Sequence, residues 1–256
     1  RLGPRSSKSA RGRKKNVASP LKQFEIQTLV PIRIGGIDVS LTNSSLYMTL
    51  VIITITLFLT LSMRRRSLVP GRWQSLAEIF YEFIAGMIRD NVGPEGHKYF
   101  PFIFTLFMFI LFGNLIGLIP YSFTFTSHII VTFGMAMAVF IGVTIIGFIK
   151  HGWRFFGLLL PHGVPWYIAP LLIPIELLSY FTRPVSLSLR LFANMTAGHT
   201  MLKVFAGFVA AIGMFGFIPL IFVAALTGLE FLIACLQAYV FTILSCIYLN
   251  DALHMH

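Results

Sequence analysis

The chain has 256 residues, of which 56% are hydrophobic and only 11% charged, and its mean hydropathy is +0.82. A soluble domain carries about a quarter charged residues, so this composition excludes a freely soluble globular protein and indicates a lipid environment. The net charge of +11 is concentrated in residues 1–22, which hold eight basic residues and no acidic one. We interpret this Ser-rich segment as a disordered basic tail whose composition resembles the end of an organellar transit peptide.

Short alternation of polar and apolar residues predicts an extended extramembrane segment over 23–45. An apolar run predicts a first membrane helix over about 46–63. Apolar residues at helical spacing over about 73–90, with polar residues mostly on the other face, predict an amphipathic helix in the membrane interface.

Two further apolar runs predict a helical hairpin over about 99–119 and 129–149. Gly134, Ala138 and Gly142 follow one another at four-residue spacing in its second helix, and this pattern favours close packing against another helix. Asn114 lies inside the first helix, where it either lines a polar path or bonds to a neighbouring helix.

A C-terminal hairpin of two longer helices is predicted over about 165–208 and 218–250. Residues 167–208 would form a helix roughly 60 Å long, twice the thickness of the hydrocarbon core of about 30 Å. We therefore expect this helix to be strongly tilted or kinked. The predicted fold is an all-α polytopic membrane protein in which residues 46–256 form one membrane domain.

A stripe of polar residues follows the first helix of this hairpin. Its members recur every three or four residues: Glu176, Ser179, Arg183, Ser186, Arg190 and Asn194. Arg190 is flanked by leucines and a phenylalanine and cannot discharge itself by losing a proton, so it is a functional candidate. Glu176 is about 20 Å away along the helix. We therefore expect another protein to supply the counter-charge of Arg190.

The register of the hairpin predicts which polar residues share a depth. In an antiparallel pair, residues whose numbers have a constant sum are level, which pairs Arg190 with Gln237, His199 with Glu230, and Glu176 with Asp251. A histidine and a glutamate at one depth are suited to relay protons. The alternative is a buried pair that only ties two helices together.

Two segments resemble the signatures of subunit a of F-type ATP synthases, especially its mitochondrial and alphaproteobacterial members. They are RPVSLSLRLFANMTAGH, from Arg183 to His199, and LEFLIACLQAYVF, from Leu229 to Phe241. The resemblance implies a stator subunit that faces a rotating ring of small subunits, each with a buried carboxylate. Two offset half-channels would deliver protons to the ring and remove them, with Arg190 between them.

By the same resemblance, the polar residues divide between the two half-channels. The outer one would pass His199, Glu230 and Asn114, with Gln237 nearby, and the inner one would pass the Glu176 side of the stripe. Asn194 and Asp251 complete the expected proton path. A non-transporting structural anchor and a sodium-coupled version of the same machine are the alternative functions.

The sequence predicts no catalytic activity for the chain itself, because it holds no phosphate-binding loop of the G-x-x-x-x-G-K-[ST] type. We expect no cofactor, metal ion or nucleic acid. The expected partners are the ring, peripheral stalk subunits, the lipid bilayer and, indirectly, the catalytic head. The basic clusters place the N-terminus in the intermembrane space and the C-terminus in the matrix of a mitochondrial inner membrane; a bacterial plasma membrane is the alternative.

Overall fold

The computed structural model describes residues 26–254 except 32, 35–36, 39, 65–66, 68, 120–121, 153–167 and 213–215. The predicted tail over 1–22 and the predicted helix start at 165 lie outside the described residues. The helices are α1 (Asn43–Met63), α2 (Arg72–Asn91), α3 (Phe100–Gly117), α4 (Ile129–His151), α5 (Ala169–Ile212) and α6 (Phe217–Leu253), with 3₁₀ turns at Pro94–Tyr99 and Phe125–Ser127.

Two short antiparallel ladders precede α1. They pair β1 (Thr28–Val30) with β4 (Leu41–Thr42), and β2 (Arg33–Ile34) with β3 (Ile37–Asp38). Thr42 then begins α1 with a capping box. Its hydroxyl accepts a hydrogen bond from the Ser45 amide at 3.3 Å, while its own amide donates to the Ser45 hydroxyl at 3.0 Å. These bonds satisfy backbone donors that a helix start leaves unpaired.

Four helices among the described residues are long and apolar enough to cross a membrane. They are α1, α3 together with the turn before it, α4 and α6. The 44-residue α5 is also long enough, but the polar stripe interrupts its apolar surface. The chain is therefore an all-α multi-pass membrane protein, which confirms the predicted fold class. The amphipathic α2 packs against α1, α3 and α6.

Buried leucines of α5 and buried alanines of α6 belong to the same hydrophobic cluster. Leu187 and Leu191 of α5 are 2% and 0% exposed, and Ala234 and Ala238 of α6 are both fully buried. Small side chains let two membrane helices approach closely, so α6 offers α5 a shallow groove. As a result α5 buries one stripe against the protein, and the side that carries Arg190 is left exposed.

The connection between α3 and α4 belongs to the protein core. Phe125 is 1% exposed, and a methyl group added at Gly113 would lie 2.5 Å from its ring. One turn further along α3, the same addition at Gly117 would lie 2.8 Å from the Thr124 side chain. Two glycines one helical turn apart therefore make room for two consecutive loop residues.

The small-residue stripe of α4 does not have the predicted contact. In the described part of the chain, nothing lies within 4 Å of a side chain built at Gly134 or Gly142. Gly134 and Ala138 are exposed, because α4 presents Ala136, Val139 and Val143 to the core instead. The prediction of close helix packing at this stripe is wrong within the chain.

Candidate functional site

His199 of α5 and Glu230 of α6 meet inside the protein, as the hairpin register predicts. Their Nδ1 and Oε1 atoms are 3.3 Å apart, and the side chains are 11% and 4% exposed. Neither carboxylate oxygen has a hydrogen-bond partner among the described residues, so the contact is close but not aligned. Gly198 leaves the necessary room, because a methyl group there would lie 2.8 Å from Oε1.

Buried amide side chains continue from this pair along one face of α6. The Asn114 side-chain amide donates to the Ala234 carbonyl at 3.3 Å, and that of Asn194 donates to Gln237 Oε1 at 2.9 Å. Asn114 Oδ1 and Gln237 Nε2 are buried without a partner among the described residues. Because Glu230, Ala234 and Gln237 are one turn apart, these groups form a polar line with unused hydrogen-bonding capacity.

Arg190 lies one turn before Asn194 on α5, at the exposed edge of the polar stripe. Its side chain is exposed, and no acidic group of the described residues lies within 4.0 Å of it. The residues next to it on the exposed face are small, namely Ser186, Ala193 and Ala197. An unpaired guanidinium on a membrane helix is costly, so the expectation that another protein supplies its counter-charge stays a prediction.

The second arginine of the stripe is paired within the chain. Arg183 donates to Asp251 Oδ2 at 2.9 Å, and its guanidinium lies 5.6 Å and 5.1 Å from the ring centroids of Tyr180 and Tyr248. The Tyr180 hydroxyl is 2.8 Å from that of Thr144 on α4. These contacts join three helices at the end of the hairpin away from His199.

The prediction that Glu176 and Asp251 lie at the same depth is wrong. Asp251 instead contacts Arg183, which is about two turns further along α5 than Glu176. From His199 back to Arg183 there are 16 residues of α5, while from Glu230 on to Asp251 there are 21 residues of α6. The helix α6 thus takes the longer path between the two contacts, and a constant sum of residue numbers fails there. Glu176 is half-buried and has no ionic partner among the described residues.

Sequence reasoning missed the loop residues that complete the site. The Thr124 hydroxyl lies 3.0 Å from His199 Nε2, and Thr196 Oγ1 donates to the Ser127 carbonyl at 3.3 Å. His128 stacks on Phe123 with ring centroids 5.0 Å apart, and burial lowers the pKa of His128 below its ordinary value. No helical periodicity marks such residues; only the hydroxyl-rich stretch from Ser122 to His128, in which hydroxyl residues alternate with phenylalanines at first, signals them.

A multi-pass fold that holds ionisable side chains at membrane depth is typical of ion-translocating membrane subunits. The ATP synthase A chain family matches residues 45–250. ATP synthase subunit a of Paramagnetospirillum magneticum is 64% identical over 247 residues, 94% of this chain and 100% of that protein. The chain therefore belongs to the ATP synthase subunit a family, which confirms the resemblance.

Two further relatives bear the same description. ATP synthase subunit a of Rhodospirillum rubrum is 60% identical over 239 residues, covering 93% of this chain and 99% of the relative. The protein of that description from Chondrus crispus is 53% identical over 247 residues, covering 94% and 98%. The similarity extends over nearly the full length of each relative.

Proposed function

We propose that the chain is the proton-translocating stator subunit of a rotary ATP synthase and that Arg190 separates two half-channels. The observation that carries this proposal is the exposed Arg190, which has no acidic partner among the described residues and lies on a face of small side chains. A ring subunit with a buried carboxylate fits that face in charge and in shape. The guanidinium attracts the ionised carboxylate, so each ring site releases its proton before it passes.

The proposed outer half-channel uses the polar line inside the hairpin. Protons reach the contact between His199 and Glu230 and continue past Asn114, Gln237 and Asn194 towards the ring. The buried amide atoms without partners support this path, because spare donors and acceptors can bind water or pass on a proton.

The proposed inner half-channel lies on the far side of Arg190, past Glu176, Arg183 and Asp251. One charge that crosses the membrane gains about 2.3 kcal/mol per 100 mV of potential, and this energy drives rotation of the ring. Because the two half-channels do not meet, that energy is released only when the ring carries the proton between them.

The assembly and the membrane follow from this function. The partners are the ring, the peripheral stalk and, through them, the catalytic head, while the chain itself is a channel subunit without catalytic activity. It resides in an energy-transducing membrane, either the mitochondrial inner membrane or the bacterial plasma membrane, with its N-terminus outside.

The test is ATP-driven proton pumping by the whole complex in membrane vesicles, with passive proton leak measured in parallel. Arg190→Ala is expected to abolish pumping in a fully assembled complex and to raise the leak. Arg89→Ala is the matched control, since Arg89 is an exposed arginine in the last turn of α2 and not a member of the hairpin. This variant is expected to pump at the native rate.

The other outcomes decide between the alternatives. Native pumping by Arg190→Ala would remove the proposed role of the arginine. Loss of assembly with no effect on the pumping rate per assembled complex would favour the structural anchor. Pumping that requires sodium ions, measured in sodium-free and sodium-containing buffer, would indicate the sodium-coupled version.

A further inference from the structure

Thr124 makes two contacts through one hydroxyl group. Its Oγ1 atom donates to the Gly117 carbonyl at 3.1 Å and lies 3.0 Å from His199 Nε2. A hydroxyl has one proton to donate and two lone pairs that accept, whereas a carbonyl only accepts. When the hydroxyl proton is directed at Gly117, the imidazole must therefore donate from Nε2 to Thr124.

The opposite arrangement, with Thr124 donating to His199, is disfavoured by the end of α3. Gly117 is the last residue of α3 and is buried. The carbonyl groups in the last turn of a helix have no backbone amide of the same helix as a donor. Turning the Thr124 proton away would leave the Gly117 carbonyl without the partner that the structure gives it. Gly117 is also the residue type that fits, because a methyl group there would lie 2.8 Å from Thr124 Oγ1.

We propose that Thr124 is a positioning residue that holds His199 with a proton on Nε2 and thereby directs Nδ1 at Glu230. Since Nε2 keeps its proton, Nδ1 of the neutral ring is an acceptor that lies 3.3 Å from Glu230 Oε1, and one proton can pass between the two atoms once the carboxyl group turns into line. Its transfer from the carboxylic acid to Nδ1 gives an imidazolium and a carboxylate, and the reverse transfer restores both neutral groups. This inference rests on the proposed proton path and assigns the tautomer that the path requires.

Among the described residues, few helices and loops bring a charged or titratable group close to His199. Glu230 faces it from α6, and Lys203 follows it by one turn on α5. From the loop, His199 receives the Thr124 hydroxyl, while the imidazole of His128 stacks on Phe123. The basic residues of α4, Lys150 and His151, lie at the opposite end of that helix.

The experiment compares three threonine variants in the complete ATP synthase in vesicles. Thr124→Val removes the hydroxyl and keeps the shape, Thr124→Ser keeps the hydroxyl, and Thr126→Val is the control. Thr126 is fully buried in the same loop, and its hydroxyl has no hydrogen-bond partner among the described residues. The measurement is the rate of proton translocation as the pH of the proton-supplying compartment is varied. Arg190→Ala is measured alongside.

Thr124→Val is expected to shift the pH profile towards acid by roughly one pH unit, because the imidazolium loses the acceptor of its Nε2 proton. Thr124→Ser is expected to restore the native profile, and Thr126→Val to leave it unchanged. In ¹⁵N spectra of histidine-labelled complex, the His199 ring is expected to lose its fixed Nε2–H signature in Thr124→Val.

A native pH profile and a native ¹⁵N signature in Thr124→Val would overturn the proposal. A uniform loss of rate with no shift, equal in Thr124→Val and Thr126→Val, would also overturn it, because it would show only a loss of loop packing. Either result together with an inactive Arg190→Ala would leave the proposed function intact, whereas native pumping by Arg190→Ala would refute that function separately.

Discussion

Gly198→Ala is a change of one methyl group beside the buried acid. A Cβ atom at this position would lie 2.8 Å from Glu230 Oε1 and 3.1 Å from Cδ. An ordinary van der Waals contact is about 3.4 Å or more, so the carboxylate must retreat by roughly 0.6 Å. The carboxylate is the end of a flexible side chain and can move, but Oε1 is also the atom that faces His199 at 3.3 Å.

The expected effects on stability and on function have opposite signs. Within a helix, alanine is more favourable than glycine by about 0.5–1 kcal/mol, so the substitution does not destabilise α5 by its backbone preference. Misplacing reacting atoms by about 1 Å can cost on the order of a hundredfold in rate, so a shift of 0.6 Å predicts a roughly tenfold slower translocation. A folded, assembled and slow complex is the expected result.

The assay is ATP synthesis and ATP-driven proton pumping in vesicles, with both rates divided by the amount of assembled chain. Gly207→Ala is the matched control, because it makes the same replacement in the same helix where nothing lies within 4 Å. Equal rates in Gly198→Ala and Gly207→Ala would refute the reasoning, since they would show that the distance between His199 and Glu230 does not limit translocation.

Three further perturbations address the groups around this contact. Gly117→Ala pushes on Thr124 and is expected to shift the pH profile of pumping in the same direction as Thr124→Val, by a similar or smaller amount. Asn194→Leu and Gln237→Leu both break the same 2.9 Å hydrogen bond between these two side chains. A double-mutant cycle of pumping rates is therefore expected to show a coupling of about 1 kcal/mol, and additive losses would contradict that bond. Burial lowers the pKa of His128 from 6.5, so the loop around it is stabilised above about pH 6.5 and loses stability as the pH falls below that value. Hydrogen exchange of residues 122–128 is expected to show this loss, after correction for the intrinsic pH dependence, and His128→Phe to remove it.

The sequence predicts well the features that depend on hydrophobic patterning and on the free-energy cost of an ionisable group in lipid. Long apolar runs define the membrane helices, and the expense of an ionisable group in lipid singles out Arg190, His199 and Glu230. The contact between the last two follows from counting residues in an antiparallel hairpin, because both lie close to its turn. The same counting fails at Asp251, where the 21 residues of α6 exceed the 16 residues of α5 by about one and a half turns.

Contacts that depend on the shape of a loop are not visible in the sequence in this way. The glycines of α4 have the spacing of a packing motif but face away from the chain, whereas Gly117 and Gly198 lie against Thr124 and Glu230. Gly198 belongs to no such repeat, and Gly117 follows Gly113 at the same four-residue spacing as the small residues of α4. The role of Gly117 and Gly198 depends on which side chain the fold brings against them. The position of Thr124 against Gly117 depends on the burial of the next residue, Phe125.

The polar line inside the hairpin is stabilised by its surroundings and not by its own bonds. A buried polar atom without a partner costs about 1–3 kcal/mol, and Asn114, Gln237 and Glu230 all carry such atoms. Burial of Leu187 and Leu191 in one hydrophobic cluster with the alanines of α6 offsets this cost, because it holds the helices together whether or not the polar atoms are satisfied. A line whose members were fully bonded to one another would be more stable, but it would have no free donor or acceptor to receive a proton. The unsatisfied atoms are thus what the proposed proton passage would require, and the apolar packing beside them is what allows the fold to keep them.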